Sequence, residues 1–171
     1  MSDSNDKTAI KVLIVDDHDL VRFGFKSLLG TQPGIEVVET LNSGETAISW
    51  CRDNKGKVDV ILMDVNMPGI GGIEATHRIS SSWPEIGIII VTVHDDGPLP
   101  KQLLNGGARG YLTKGNAVDE MLSAIRDVYS GKHYIAKDIA QQLALSVLPG
   151  ETNPIDTLSM REIQVLMMVA Q

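Results

Sequence analysis

Three aspartates stand at the ends of short apolar runs. Asp16 and Asp17 directly follow the run 11–15, and Asp64 directly follows 58–63. Thr92 closes a further run, 87–92, and Lys114 follows the short run 110–113. Three carboxylates packed together repel one another, so at neutral pH they need a cation. A few oxygen ligands, with water in the remaining positions, suit Mg²⁺ better than zinc or copper. Lys114 supplies a mobile positive charge that could pair with Asp64 or with a phosphoryl group on it. The Thr92 hydroxyl could donate to a phosphoryl oxygen. The loop 66–72 is glycine-rich and lets backbone approach such a site closely. One Asp after a strand is ordinarily a turn former or a helix cap, and one Lys there is ordinarily solvated. Their joint occurrence at the ends of four runs is not explained by turn chemistry.

The elements that must position these residues follow from the pattern between them. Runs 11–15, 58–63 and 87–92 are nearly continuous apolar stretches, as expected of strands covered on both faces of a parallel sheet. The run 35–39 is shorter and more mixed, which suits an edge strand. Helical patterns occupy about 19–30, 43–54, 71–82, 97–106 and 117–130. In the first, Leu20, Phe23, Leu28 and Leu29 recur near helical spacing and Gly30 ends the run. In the last, Asn116 and Asp119 form a candidate N-cap pair, Val118, Met121, Leu122, Ile125 and Val128 mark one face, and Gly131 stops the helix. Five strand–helix alternations predict an α/β, doubly wound, five-stranded parallel sheet with helices on both faces. In such a sheet the carboxyl ends of the strands share one rim, where ligands bind.

Composition narrows the function classes. Of 171 residues, 43% are hydrophobic and 22% charged, which excludes wholesale disorder. A net charge of -7 argues against a chain that grips nucleic acid over most of its surface. The single cysteine, Cys51, excludes an internal disulfide and a cysteine metal cage and fits a reducing, cytoplasmic setting. The polar start has no signal-like apolar segment, and the apolar runs are too short to span a bilayer, so no membrane association is expected.

The segments Val12-Leu13-Ile14-Val15-Asp16-Asp17-His18, Leu62-Met63-Asp64-Val65-Asn66-Met67-Pro68-Gly69, Val91-Thr92-Val93 and Gly107-Ala108-Arg109-Gly110-Tyr111-Leu112-Thr113-Lys114 together resemble a bacterial response-regulator receiver domain, over about residues 10–131. The resemblance implies the flavodoxin-like strand order 2-1-3-4-5. It implies that Asp64 is the phosphoacceptor for a sensor kinase's phosphohistidine. Asp16, Asp17, Asp64 and the backbone carbonyl of Asn66 would bind Mg²⁺, and Thr92 and Lys114 would hold phosphoryl oxygens. Thr92 and Tyr111 would be the switch pair, the tyrosine turning into space that the threonine vacates. Asn66 and His94, each two residues beyond a site residue, would tune dephosphorylation. Where many receivers have a proline after the lysine, Gly115 stands here, so no cis bond is expected.

Residues 1–9 read as a flexible N-terminus and 132–157 as a linker with a helix at about 136–147. Residues 158–171 begin with a capping box, Ser159 to Glu162, and resemble the first helix of a LuxR-type helix-turn-helix domain of the NarL/FixJ class, truncated here. With 133–135 and 139–145 this segment resembles the GacA/UvrY/LetA group. The resemblance implies a hybrid sensor histidine kinase of the GacS/BarA/LetS kind as partner, promoter DNA as target of a longer protein, and a homodimer on phosphorylation. From Ile135 onward, Lys137 and Arg161 face Asp138, Glu151, Asp156 and Glu162, so this fragment itself is not expected to bind DNA. Two other readings remain open: an Mg²⁺-dependent aspartyl-phosphate phosphohydrolase, and a standalone receiver acting by protein contacts. The first wants a second aspartate two residues beyond the nucleophile as general acid, where Asn66 stands. The expectation is therefore a signalling switch and not an enzyme.

Overall fold

The computed structural model of this chain describes residues 8–93, 106–116 and 118–146. In chain order they form β1 (Ile10–Val15), α1 (Asp19–Gly30), β2 (Ile35–Leu41), α2 (Gly44–Asp53), β3 (Val60–Asp64), α3 (Gly71–Ser82), β4 (Gly87–Thr92), β5 (Gly110–Thr113), α4 (Val118–Tyr129), β6 (Tyr134–Ile135) and α5 (Lys137–Ser146). All strand pairs are parallel, in the order β2-β1-β3-β4-β5-β6. The first five follow the order that the resemblance implies, with β2 at the edge.

The apolar runs become the sheet interior. Every residue of β3, β4 and β5 is buried, as are Val12 to Val15 of β1. Continuous apolar sequence is what a strand covered on both faces requires. Helix α4 covers the sheet with Met121, Leu122, Ala124, Ile125 and Val128, close to the face read from spacing. Gly131 ends that region at φ +89, a conformation that glycine adopts without the steric cost other residues meet.

Strand register sets the rim level. Val15 of β1 pairs with Met63 of β3, so Asp16 stands beside Asp64. Asp64 pairs with Val91, and Thr92 with Thr113, which brings Thr92 and then Lys114 to the same end.

The structure departs from the sequence expectations in three respects. The sheet has six strands instead of five. Tyr134 and Ile135, within the segment expected to be a linker, pair with Gly110 and Tyr111 of β5. Two residues are too few to display a period, so this strand had no pattern to reveal it. Leu20 and Phe23 of α1 are 81% and 71% exposed, and Leu28 is exposed too. The helix instead packs through Leu29 and Phe25, one turn apart. A helix with two apolar stripes does not reveal from spacing which one faces the sheet. Asn116 turns its carbonyl oxygen back to the Thr113 N–H, 2.7 Å away, and its amide donates to Glu120. It serves the turn after β5 and is not shown pairing with Asp119.

All peptide bonds among the described residues are trans. No described helix is long and apolar enough to cross a membrane. His94, all but the last residue of the helix expected over 97–106, and the C-terminal segment from 147 with its capping box lie outside the described residues.

Candidate functional site

Asp16 follows β1 directly, and Asp64 is the last residue of β3. Each is only 2% exposed, a level at which an ionised carboxylate needs compensation. Lys114 provides part of it. Its Nζ lies 2.8 Å from Asp16 Oδ2 and 3.5 Å from Asp64 Oδ2. Burial draws the ammonium pKa down, but the two carboxylates outweigh it and the net direction is upward. The Asp64 carboxyl is pushed up to about 6, chiefly by burial and then by the charge of Asp16, against the pull of Lys114 and the Asn66 N–H.

The remaining contacts leave the pocket underfilled. Asn66 N–H donates to Asp64 Oδ1 at 3.3 Å, and His18 N–H donates to Asp16 Oδ1 at 2.8 Å. Asp64 Oδ2 and Asp17 Oδ1 are buried without a hydrogen bond. The ion-pair distance from Lys114 to Asp64 is therefore electrostatic proximity, not a formed hydrogen bond. Three carboxylates against one ammonium leave a formal charge of −2. One ligand atom each from Asp16, Asp17, His18 and Asp64 falls within 4.8 Å of the others. An orphaned buried oxygen, oxygen-rich donors and a charge deficit of two fit a divalent cation.

Of the residues read from sequence, Asp16, Asp17, Asp64 and Lys114 are brought into direct proximity. Thr92 is buried at the end of β4, and its carbonyl accepts from the Lys114 N–H at 2.7 Å. Asn66 is exposed on the loop after β3. Tyr111 is buried in β5, its hydroxyl 3.5 Å from the Ala108 carbonyl that accepts from it.

Three further residues shape the site and were not picked out by sequence reasoning. Arg22 donates to the Asp16 carbonyl at 2.6 Å and pairs with Asp19, fastening α1 to the turn that carries the aspartates. Its N–H bonds the His18 carbonyl one helical turn back, a spacing visible in the sequence. Glu45, at the start of α2, accepts from Ile70 N–H at 2.9 Å. That hydrogen bond holds the Glu45 carboxyl below its ordinary range and ties down the loop beyond Asp64. No local pattern could pair residues so far apart in the chain. The third, Gly72, admits no side chain, because a Cβ would fall on the Asp64 carbonyl. The start of α3 thus presses directly on the backbone of Asp64.

Comparison with known proteins gives this arrangement a context. The family model described as the response regulator receiver domain matches residues 12–126. The chain is 51% identical over 164 residues to the response regulator UvrY of Escherichia coli, covering 95% of this chain and 74% of UvrY. It is 48% identical over 163 residues to the response regulator GacA of Pseudomonas aeruginosa, covering 94% of this chain and 75% of GacA. The fold is similar to the crystal structure of a LuxR-family two-component response regulator from an Aurantimonas species. There the TM-score is 0.74 at 32% identity, over 81% of this chain and 98% of that one.

Proposed function

The chain belongs to the response regulator family, and on that premise we propose that Asp64 accepts a phosphoryl group from the phosphohistidine of a sensor kinase. The observation that carries the reading is Asp64 itself. It is a buried carboxylate at the end of a central strand, with one oxygen lacking a hydrogen bond. With its carboxyl at about 6, Asp64 is mostly anionic near neutral pH and so nucleophilic. A carboxylate oxygen attacks phosphorus, the P–N bond breaks, and its electron pair leaves with the imidazole.

Asp16, Asp17, Asp64 and the backbone carbonyl of Asn66 would hold Mg²⁺. When bound, it neutralises charge on the transferred group. Lys114 releases its carboxylates to take one phosphoryl oxygen, and the Thr92 hydroxyl donates to another. Thr92 moves toward the new charge and Tyr111 turns into the space vacated, which carries a local electrostatic change to the surface beside β5. Asn66 and His94 flank the acyl phosphate and set its lifetime. The Asn66 amide cannot give and take a proton in turn, which supports a lasting signal over turnover.

The kinase is of the hybrid sensor histidine kinase class, and the setting is cytoplasmic. Residues 10–131 carry the receiver, β6 and α5 extend its sheet and core, and the connection to the output segment follows. Output passes through the segment from Leu158 onward, where the LuxR-type resemblance begins, to promoter DNA, with pairing of two phosphorylated copies.

The test is incubation with Mg²⁺ and acetyl phosphate, followed by intact mass. The wild type gains one phosphoryl group, and Asp64→Ala gains none. Equal gain by both proteins would remove Asp64 from its role.

A further inference from the structure

Lys114 presents its ammonium to the rim from a turn whose own backbone has little to stiffen it. Gly115 follows the lysine, is exposed, and would meet no atom within 4 Å if it carried a Cβ. Its φ is not positive, so neither packing nor a special conformation fixes the chain there. The constraint comes from the next residue. Asn116 N–H donates to the Thr113 carbonyl at 3.2 Å, and Asn116 Oδ1 accepts from the Thr113 N–H at 2.7 Å. Two bonds between the same two residues close the turn around Lys114.

The second of these bonds answers a need that the sheet creates. Tyr134 and Ile135 of β6 pair with Gly110 and Tyr111, so β6 ends before it reaches Thr113. Thr113 is buried, and a buried N–H without an acceptor is costly. Asn116 supplies the acceptor that β6 is too short to give, and the same oxygen stands 3.1 Å from Thr113 Oγ1. Its amide donates to Glu120 Oε2 at 3.0 Å, and Glu120, in the first turn of α4, also faces the Tyr134 hydroxyl. The Asn116 side chain is thus held at both ends. On the strand side of the turn, Lys114 N–H bonds the Thr92 carbonyl, and the ammonium beyond it reaches Asp16 and Asp64.

We propose that Asn116 is a positioning residue for phosphoryl transfer, holding the Lys114 turn so that the ammonium meets a phosphoryl oxygen on Asp64, with Glu120 as its support. A lysine is a point charge on a flexible four-carbon stem, so it places its charge only as well as its backbone is placed. The side-chain clasp gives this turn a rigidity that Gly115 does not. This inference rests on the reading that Asp64 accepts a phosphoryl group with Lys114 beside it.

The test follows the initial rate of phosphoryl gain by the full 171-residue chain with Mg²⁺ and varied acetyl phosphate, read by intact mass. Asn116→Ala is expected to lower the maximal rate about tenfold and to change the half-saturating concentration little. Asn116→Asp combined with Glu120→Gln exchanges donor and acceptor between the two side chains and keeps an acceptor for Thr113, so it should restore most of the rate. In a Lys114→Met background, Asn116→Ala should cost little more. An unchanged rate in Asn116→Ala, or the same loss with and without Lys114, overturns the proposal. A second measurement needs no transfer: ¹⁵N relaxation of Lys114 Nζ, its signal assigned by its loss in Lys114→Met. The ammonium should be rigid in the wild type and mobile in Asn116→Ala while the signals of the strand bodies stay unchanged, and equal rigidity in both proteins overturns the proposal. If the wild type gains no phosphoryl group, or Asp64→Ala gains as much, the phosphoacceptor reading fails, and the relaxation measurement still decides whether Asn116 holds Lys114.

Discussion

The bodies of β1 and β3 and their carboxyl ends differ by one residue in position and completely in energetics. Val12 to Val15 and Val60 to Met63 are apolar and nearly inaccessible. Each large side chain so placed contributes about 1.5–3 kcal/mol through burial. The next residues, Asp16 and Asp64, are just as buried but charged, and one Asp64 oxygen has no hydrogen bond. The strand bodies hold the fold so firmly that the rim can keep groups that oppose folding. Reactivity at the rim is possible because stability is supplied a few ångströms away.

Substitutions in the two regions should therefore move stability in opposite directions. Leu62→Ala, in the body of β3, is expected to lose about 3–4 kcal/mol, read as a lower urea midpoint at unchanged slope. A loss below about 1 kcal/mol would mean that the sheet interior is not the stabilising region.

Asp64→Asn should act the other way. Burial raises the Asp64 carboxyl to about 6 from 3.8. The folded chain thus holds this proton more tightly than the unfolded chain. Stability falls as pH rises through that window, and the whole deficit, about 3 kcal/mol, is present above it. In the absence of divalent cations, the wild type should lose stability as pH rises between about 3.8 and about 6. Asp64→Asn should show a flatter profile and be the more stable protein at the upper end. Adding Mg²⁺ should narrow the gap by stabilising the wild type more. A variant less stable than wild type near pH 7.5 would break the contrast between body and rim.

Lys114→Met tests what restrains the rim from within. Its loss leaves Asp16 without its 2.8 Å partner and pushes the Asp64 carboxyl still higher. A cost of about 2 kcal/mol is expected near pH 7.5, shrinking as pH falls toward about 6, where Asp64 takes up its proton. A cost that does not change with pH would mean that Lys114 acts through packing alone.

The same contrast explains what could be read from sequence. Strand bodies announce themselves: β4 at Gly87–Thr92 and α1 at Asp19–Gly30 match the expected spans. Asp16, Asp17, Asp64 and Lys114 could be placed together because parallel strands must end on one rim, so topology converts distance in sequence into proximity. What escaped is whatever lacks a period. Glu45 reaches Ile70 across two elements, and the outward turn of Leu20 and Phe23 depends on which stripe of α1 meets the sheet. The His18 ring closes on the Asp16 carboxylate, at 3.2 Å, through a turn that no period announces.

The smallest predicted effect concerns the far edge, where β6 and α5 join the receiver. Ile135, Ala136, Ile139 and Ala140 enter the same buried core as the central strands, and backbone bonds from Tyr134 N–H to Arg109 and from Ala136 N–H to Tyr111 complete the edge. The polar contact there is slight by comparison. Thr113 Oγ1 donates to Asp138 Oδ2 at 3.3 Å, but Asn116 Oδ1 stands 3.1 Å from the same hydroxyl and can take the bond alone. Asp138 Oδ1 also accepts from the Ile139 N–H at 3.0 Å, so Asp138→Ala should cost about 1 kcal/mol. Ile139→Ala, a few ångströms away but apolar and 2% exposed, should cost about 2–3 kcal/mol. If the order were reversed, the edge would be held by polar contacts instead of burial. The segment from β6 onward would then behave like the rim and not like the strand bodies, and a change of charge at Lys114, next to Thr113, would be felt along it.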